Sequence, residues 1–165
     1  MASIQSFTFN PFQENTYVVF DETKQCVIVD PGCADDRERN ELQRFIQQNK
    51  LTPVLLLNTH CHIDHMIGNE FVLRNWNIPF HMNELDLYNL KGAVDTGLKY
   101  GFVVPPSPAP THFLVEGDEV KFGNTILKVL FTPGHSSGSI SFYCKQDNWL
   151  LSGDVLFRSS IGRYD

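Results

Sequence analysis

The segment that most narrows the possible folds is Pro53-Val54-Leu55-Leu56-Leu57-Asn58, which runs directly into Thr59-His60-Cys61-His62-Ile63-Asp64-His65. An unbroken apolar run without polar alternation is expected of a strand buried on both faces inside a layered α/β fold. The polar cluster then falls at the carboxyl end of that strand, where open sheets gather their ligands. A single histidine there reads best as part of a solvated loop, but His60, His62, Asp64 and His65 together do not. Imidazole and carboxylate are ligand types that suit zinc or iron. Residues two apart in an extended loop project to the same side, so His60 and His62 can grip one ion while Asp64 and His65 face a neighbouring position. The same alternation turns Cys61 away, into packing.

Around this strand the chain alternates between strand and helix patterns. Residues 16–20 and 25–30 are β-rich and flank the polar Asp21-Glu22-Thr23-Lys24, giving a hairpin that Asp30-Pro31-Gly32 ends. Asp35 and Asp36 precede Leu42, Phe45 and Ile46, whose i, i+3, i+4 spacing gives a helix one apolar face for a sheet. Residues 69–76 and 83–90 read as helices with a short strand at 78–80 between them. Four of the nine prolines fall in residues 103–110, which excludes a helix or a central strand there. This stiff loop is either a plain surface connection or a wall over a site. Beyond Glu116-Gly117-Asp118 the pattern is β again, at 120–122, 125–131, 139–143 and 149–152.

No internal repeat or low-complexity tract interrupts this order, so residues 1–165 are expected to form one α/β domain. The formal charge of -6, from 13 basic and 19 acidic residues, argues against the basic face that nucleic acid requires and favours a small-molecule substrate. The first residues carry no basic segment followed by an apolar one, and no later apolar run approaches a membrane span. A cytoplasmic protein engaging neither membrane nor nucleic acid is expected. Cys26, Cys33, Cys61 and Cys144 form no CxxC pair and read as reduced, buried small hydrophobes.

Two later turns complete the picture. Thr132-Pro133-Gly134-His135-Ser136-Ser137-Gly138-Ser139 sets a histidine on a tight turn after an apolar strand, and Ser152-Gly153-Asp154 sets a carboxylate on another. Flanking glycines let each backbone turn sharply and approach closely, as convergence on one ion requires. The HxHxDH run from His60 to His65, the run around His135 and the Ser-Gly-Asp at Asp154 together resemble the metallo-β-lactamase superfamily. Asp30-Pro31-Gly32 and Ser160-Ile161-Gly162-Arg163 resemble its branch containing glyoxalase II and small relatives. The likeness spans essentially the whole chain.

This resemblance implies a four-layer αββα sandwich. It also implies one ion on His60, His62 and His135, a second on Asp64 and His65, and Asp154 bridging them. One or two Zn2+ are implied, with Fe or Mn as alternatives. Asp64 is the implied catalytic residue, orienting the attacking water and taking its proton, and Arg163 is a candidate for supporting a ligand or contacting a substrate anion, against a plain surface arginine. Proteins of this kind carry a further helix, a strand bearing one more histidine and a final helix. The six histidines here are used up at His60, His62, His65, His81, His112 and His135. The fold is therefore expected to be incomplete at its C-terminus, with a poorly occupied second metal position and an exposed face that favours a homo-oligomer.

The helical glutathione-binding part of glyoxalase II has no counterpart, so the resemblance does not extend to hydroxyacylglutathione. The expected activity is metal-dependent hydrolysis of a small thioester or ester. The alternatives are an iron-dependent persulfide dioxygenase and a metal-binding fragment without turnover. A diiron flavoprotein is disfavoured because that branch carries Glu where His62 stands, and an RNA-processing nuclease is disfavoured by charge.

Overall fold

The computed structural model describes residues 1–163. The chain opens with an antiparallel meander of β1 (Ser3–Phe9), β2 (Glu14–Phe20) and β3 (Gln25–Val29). Helix α1 (Asp36–Gln48) then crosses to β4 (Thr52–Leu57), which pairs in parallel with β3. Helices α2 (Ile63–Met66) and α3 (Asn69–Trp76) lead to β5 (Phe80–Met82), and α4 (Leu87–Lys99) with the proline-rich loop leads to β6 (His112–Phe113). These two strands extend the sheet in parallel, in chain order. Strands β7 (Glu119–Phe122), β8 (Thr125–Phe131), β9 (Ile140–Cys144) and β10 (Trp149–Leu151) form a second, antiparallel sheet, followed by a small ribbon of β11 (Leu156–Phe157) and β12 (Ser160–Ile161).

The doubly apolar β3 and β4 dictate the layering. Val27, Val29, Leu55 and Leu57 pack toward the second sheet, against Leu127, Val129, Ile140 and Phe142. Their neighbours Cys26, Ile28 and Leu56 pack the other way, with Leu42 and Ile46 of α1, Val72 of α3 and Leu90 of α4. Helix α1 starts where the Asp35 side chain accepts the Glu38 N–H, and Asp36 and Glu38 sit in its first turn, where the helix dipole favours negative charge. The result is a helix layer, a sheet and a second sheet. On the outer face of that second sheet, Ile126 and Leu150 are exposed, and no helix among the described residues contributes to the core between the sheets. No helix among the described residues is long and apolar enough to cross a membrane.

Three local expectations shift. The strand expected at 78–80 begins only at Phe80, because Pro79 has no N–H and contributes just its carbonyl, to Leu56 N at 2.9 Å. The helix expected at 83–90 starts as a 3-10 turn over Glu84–Asp86, capped by the Asn83 side chain, and continues as α4 well beyond Leu90. Strand β1 had no sequence-based expectation; only Phe7 and Phe9 of its seven residues are buried, too short an alternation to stand out. The proline-rich loop buries Val104 and lines a cleft with Glu70 and Arg74 of α3, away from the histidines, and so is a surface connection.

Phe142 is wholly buried between the sheets. Phe142→Ala is expected to cost about 3–5 kcal/mol and to lower the melting temperature by roughly 10 °C. A shift under about 2 °C in a calorimetric scan would show that the inter-sheet core does not hold the layers together.

Candidate functional site

The sequence candidates come from four places and meet at one end of the sandwich. His60 and His62 follow β4, Asp64 and His65 lie on the first turn of α2, His135 sits on the β8–β9 loop, and Asp154 on a 3-10 turn after β10. The donor atoms of His60, His62 and His135 lie within 4.8 Å of one another, and those of Asp64, His65 and Asp154 do likewise. The two trios adjoin at Asp154, whose carboxylate oxygens stand 3.2 Å from His65 Nε2 and 3.5 Å from His135 Nε2.

The hydrogen bonds behind the rings decide which nitrogens face inward. Asp30, buried at the end of β3, accepts the Thr59 hydroxyl at 2.5 Å and faces His65 Nδ1 at 3.1 Å with the same oxygen. A carboxylate can only accept, so His65 donates from Nδ1 to Asp30 and turns Nε2 toward the Asp154 and Asp64 carboxylates in the site. The Thr59 hydroxyl, its proton given to Asp30, accepts from His60 Nδ1 at 3.1 Å and frees His60 Nε2. His135 donates from Nδ1 to the Arg163 carbonyl at 2.8 Å, which frees its Nε2, 3.0 Å from His62 Nδ1. His60 Nε2 is buried with no hydrogen-bond partner among the described residues. A third trio, Asp30 with His60 and His65, also satisfies the spacing, but Asp30 is occupied from behind the rings.

Burial, reinforced by the neighbouring imidazoles, holds His60 and His62 below the ordinary histidine range. Burial acts on His65 in the same sense but is outweighed by its bonds to Asp154 and Asp30, which hold it well above that range. Burial would raise Asp154, but His65 and the positive charge of the other imidazoles outweigh it and hold it below the usual carboxylate range. Cys61 is buried and pushed well up by desolvation and then by Asp86 and Asp30; its sulfur faces Met82 Sδ at 3.7 Å, as expected of a packing residue.

Sequence reasoning missed two supports. Asp30 was read as a strand end and as part of the Asp-Pro-Gly run, with no role at the site; it stands at φ +50°, a left-handed conformation that aspartate tolerates, which turns its carboxylate inward. Asp86, fully buried, carries no motif at all. Its Oδ2 accepts the Cys61 N–H at 2.5 Å, between His60 and His62, while its Oδ1 accepts the Ser136 hydroxyl and the Gly138 N–H on the His135 loop. A side chain at Gly138 would run into Asp86 at 2.6 Å, so the close approach requires glycine. Gly153, at φ +52° and against Thr59, does the same for the Asp154 loop. Arg163, the candidate for supporting a ligand or contacting a substrate anion, accepts from His135 Nδ1 through its backbone carbonyl.

Two cavities of about 750 and 580 Å3 open on this cluster, and both are lined by His62, His135 and Asn89. Residues 9–165 match the metallo-beta-lactamase superfamily, and the chain belongs to it and has its fold. A probable metallo-hydrolase of Bacillus subtilis is 39% identical over 158 residues, a match covering 94% of this chain and 72% of that relative. A hydroxyacylglutathione hydrolase of Wigglesworthia glossinidia brevipalpis is 33% identical, over 91% of this chain but only 50% of its own length. Among solved structures, BLEG-1 B3 metallo-beta-lactamase superposes with a TM-score of 0.87 at 31% identity, covering 98% of this chain and 76% of that one. TTHA1623, solved in a di-iron-bound form, gives 0.85 at 35% identity, covering 98% and 77%.

Two outcomes follow from these supports. Because Asp86 spaces the His60–His62 loop from the His135 loop, Asp86→Asn is expected to weaken zinc binding by about tenfold to a hundredfold; unchanged affinity in a competitive chelator titration would remove it from that role. The pH dependence of the metal-free protein should be bell-shaped. His60 and His62 bind protons more readily when unfolded, so their contribution is lost as pH falls below the ordinary 6.5 toward their depressed folded values. His65 has the opposite sign, its contribution complete below 6.5 and lost as pH rises toward its raised value. Melting temperatures that do not fall on both sides of neutrality would contradict this.

Proposed function

We propose that this chain is a metal-dependent hydrolase of small thioesters or esters. His60, His62 and His135 would hold one divalent ion, Asp64 and His65 a second, and Asp154 would be shared between them. The observation that carries this reading is His60 Nε2, a bare nitrogen buried at the centre of the cluster without a hydrogen-bond partner. Leaving such an atom unsatisfied costs about 1–3 kcal/mol, and a cation relieves that cost. The donor set of imidazoles and carboxylates fits zinc, and it fits iron as well.

A divalent cation bound here supplies a Lewis acid for a carbonyl oxygen and lowers the pKa of water toward neutrality. The chain's own groups do the rest. Asp64, its Oδ2 3.5 Å from His65 Nε2, lies at the edge of the 580 Å3 cavity, where it can orient the attacking water and accept its proton. Asp30 and Thr59 hold the His60 and His65 rings from behind, so those two donors are oriented before an ion binds. A net charge of -6 and cavities of several hundred Å3 suit a small substrate over a polyanion. The hydroxyacylglutathione hydrolases among the relatives support a thioester as the bond attacked.

Elemental analysis of the purified protein is expected to find one or two zinc or iron ions per chain, and a panel of thioesters, esters and lactones to find turnover. Asp64→Ala should retain the fold and lower kcat by at least about a hundredfold. His81→Ala and His112→Ala, a pair of rings tilted at 60° with centroids 5.0 Å apart that line a separate cavity, should leave turnover within about twofold. Oxygen uptake with a persulfide and no hydrolysis of any panel member would overturn the assignment in favour of a dioxygenase.

A further inference from the structure

Deepening the hydrolase reading and resting on it, we propose that the cleft beside Asp64 and Asp154 is an aryl-binding subsite built on Phe12. It selects substrates whose acyl group carries an aromatic ring close to the scissile carbonyl.

Phe12 lies on the turn between β1 and β2, and its side chain is left 47% exposed. The turn is nonetheless clamped. Asn10 accepts the Phe12 N–H on its side-chain oxygen at 3.0 Å, and its side-chain amide donates to the Asp64 and Gly32 carbonyls, both at 3.0 Å. The Asn10 N–H goes to the buried Glu38 carboxylate at 2.8 Å, and Gln13 N closes the turn onto the Asn10 carbonyl at 3.0 Å. Asn10 takes a left-handed φ of +50°, which asparagine tolerates better than most residues. The phenyl ring is thus tied by one residue to the backbone of Asp64, the residue assigned to the attacking water.

The ring has an aromatic backing and an open side. Its centroid lies 5.2 Å from that of Phe102, tilted by 30°, and 6.3 Å from that of Tyr100, edge-on at 79°. Phe102 packs in turn on the helix-side core, so the group does not swing freely. Phe12, Tyr100 and Phe157 line the 580 Å3 cavity whose remaining wall includes His62, Asp64 and Asp154. One cavity therefore joins a polar reacting end to an apolar aromatic end, the division of labour that recognises a ligand with a polar head and a flat apolar body. Rings set at offset and edge-on angles favour a further ring over an alkyl chain, because the quadrupoles pair in those geometries. A fixed, half-exposed phenyl group that contributes little to the core is explained by such a partner.

The test uses the full chain loaded with zinc, as wild type, Phe12→Ala and Phe12→Leu. Each is assayed on the N-acetylcysteamine thioesters of phenylacetate and acetate, and titrated calorimetrically with phenylacetate and acetate themselves. Phe12→Ala is expected to raise KM for the phenylacetyl thioester and the Kd of phenylacetate by about tenfold. It should leave the acetyl thioester and the melting temperature unchanged, with Phe12→Leu falling between. Equal effects on both acyl groups, or phenylacetate binding indifferent to Phe12, would overturn the subsite even if hydrolysis is robust. Phe12-dependent phenylacetate binding without turnover of either thioester would uphold the subsite and overturn the hydrolase reading instead.

Discussion

The arrangement at the top of the sandwich depends on one buried carboxylate, that of Asp30. It receives the Thr59 backbone N–H at 2.7 Å, the Thr59 hydroxyl and His65 Nδ1, with the Asn58 amide at 3.3 Å. Burying a charge is costly unless every lone pair is engaged. Here the engagement does structural work, because each donor belongs to the loop after β4 or to the helix it enters. The parallel pairing of β3 with β4 puts Asp30 next to that loop, and the left-handed backbone of Asp30 aims it inward. Remove this contact and the rings of His60 and His65 lose the bonds that fix their tautomers.

Asp86 plays a matching part from the other side. Asp30 organises one loop of the first sheet, whereas Asp86 joins that loop to the β8–β9 loop of the second, across the mouth of the sandwich. The imidazoles of His60, His62 and His135 stand with their ring centroids 4.7–4.9 Å apart and their planes nearly perpendicular. The Thr59 hydroxyl behind His60 and the Arg163 carbonyl behind His135 fix two of these rings, and His62 meets the third at 3.0 Å.

How legible this was in the sequence depended on how local each signal is. His60, His62, Asp64 and His65 crowd into six residues after an apolar strand, so both the strand and the cluster could be read without knowing what lies opposite. His135 and Asp154 became meaningful only jointly, through their glycine-flanked turns. Asp86 could not be found at all, because a lone aspartate at a helix start looks like an ordinary cap, and its partners Cys61, Ser136 and Gly138 are distant in the chain. The β1 strand escaped for a related reason: its pairing with β2 is what buries Phe7 and Phe9, and a polar half-strand shows no strong period alone. Phe12 likewise has an interpretable position only once Asn10 is seen to bind Asp64.

The split origin of the cluster has a consequence for how the chain acquires it. His62 and His135 are 73 positions apart and come from different sheets, so neither half of the molecule can assemble the three-imidazole group alone. Closing that separation makes a non-local contact, of the kind that carries a large loop-closure cost. A cation that binds only the assembled group then acts on the equilibrium by mass action, adding stability in proportion to the logarithm of its concentration over Kd. Scarcity of the ion would lower the abundance of folded protein as well as its activity, making the amount of native chain a gauge of available metal.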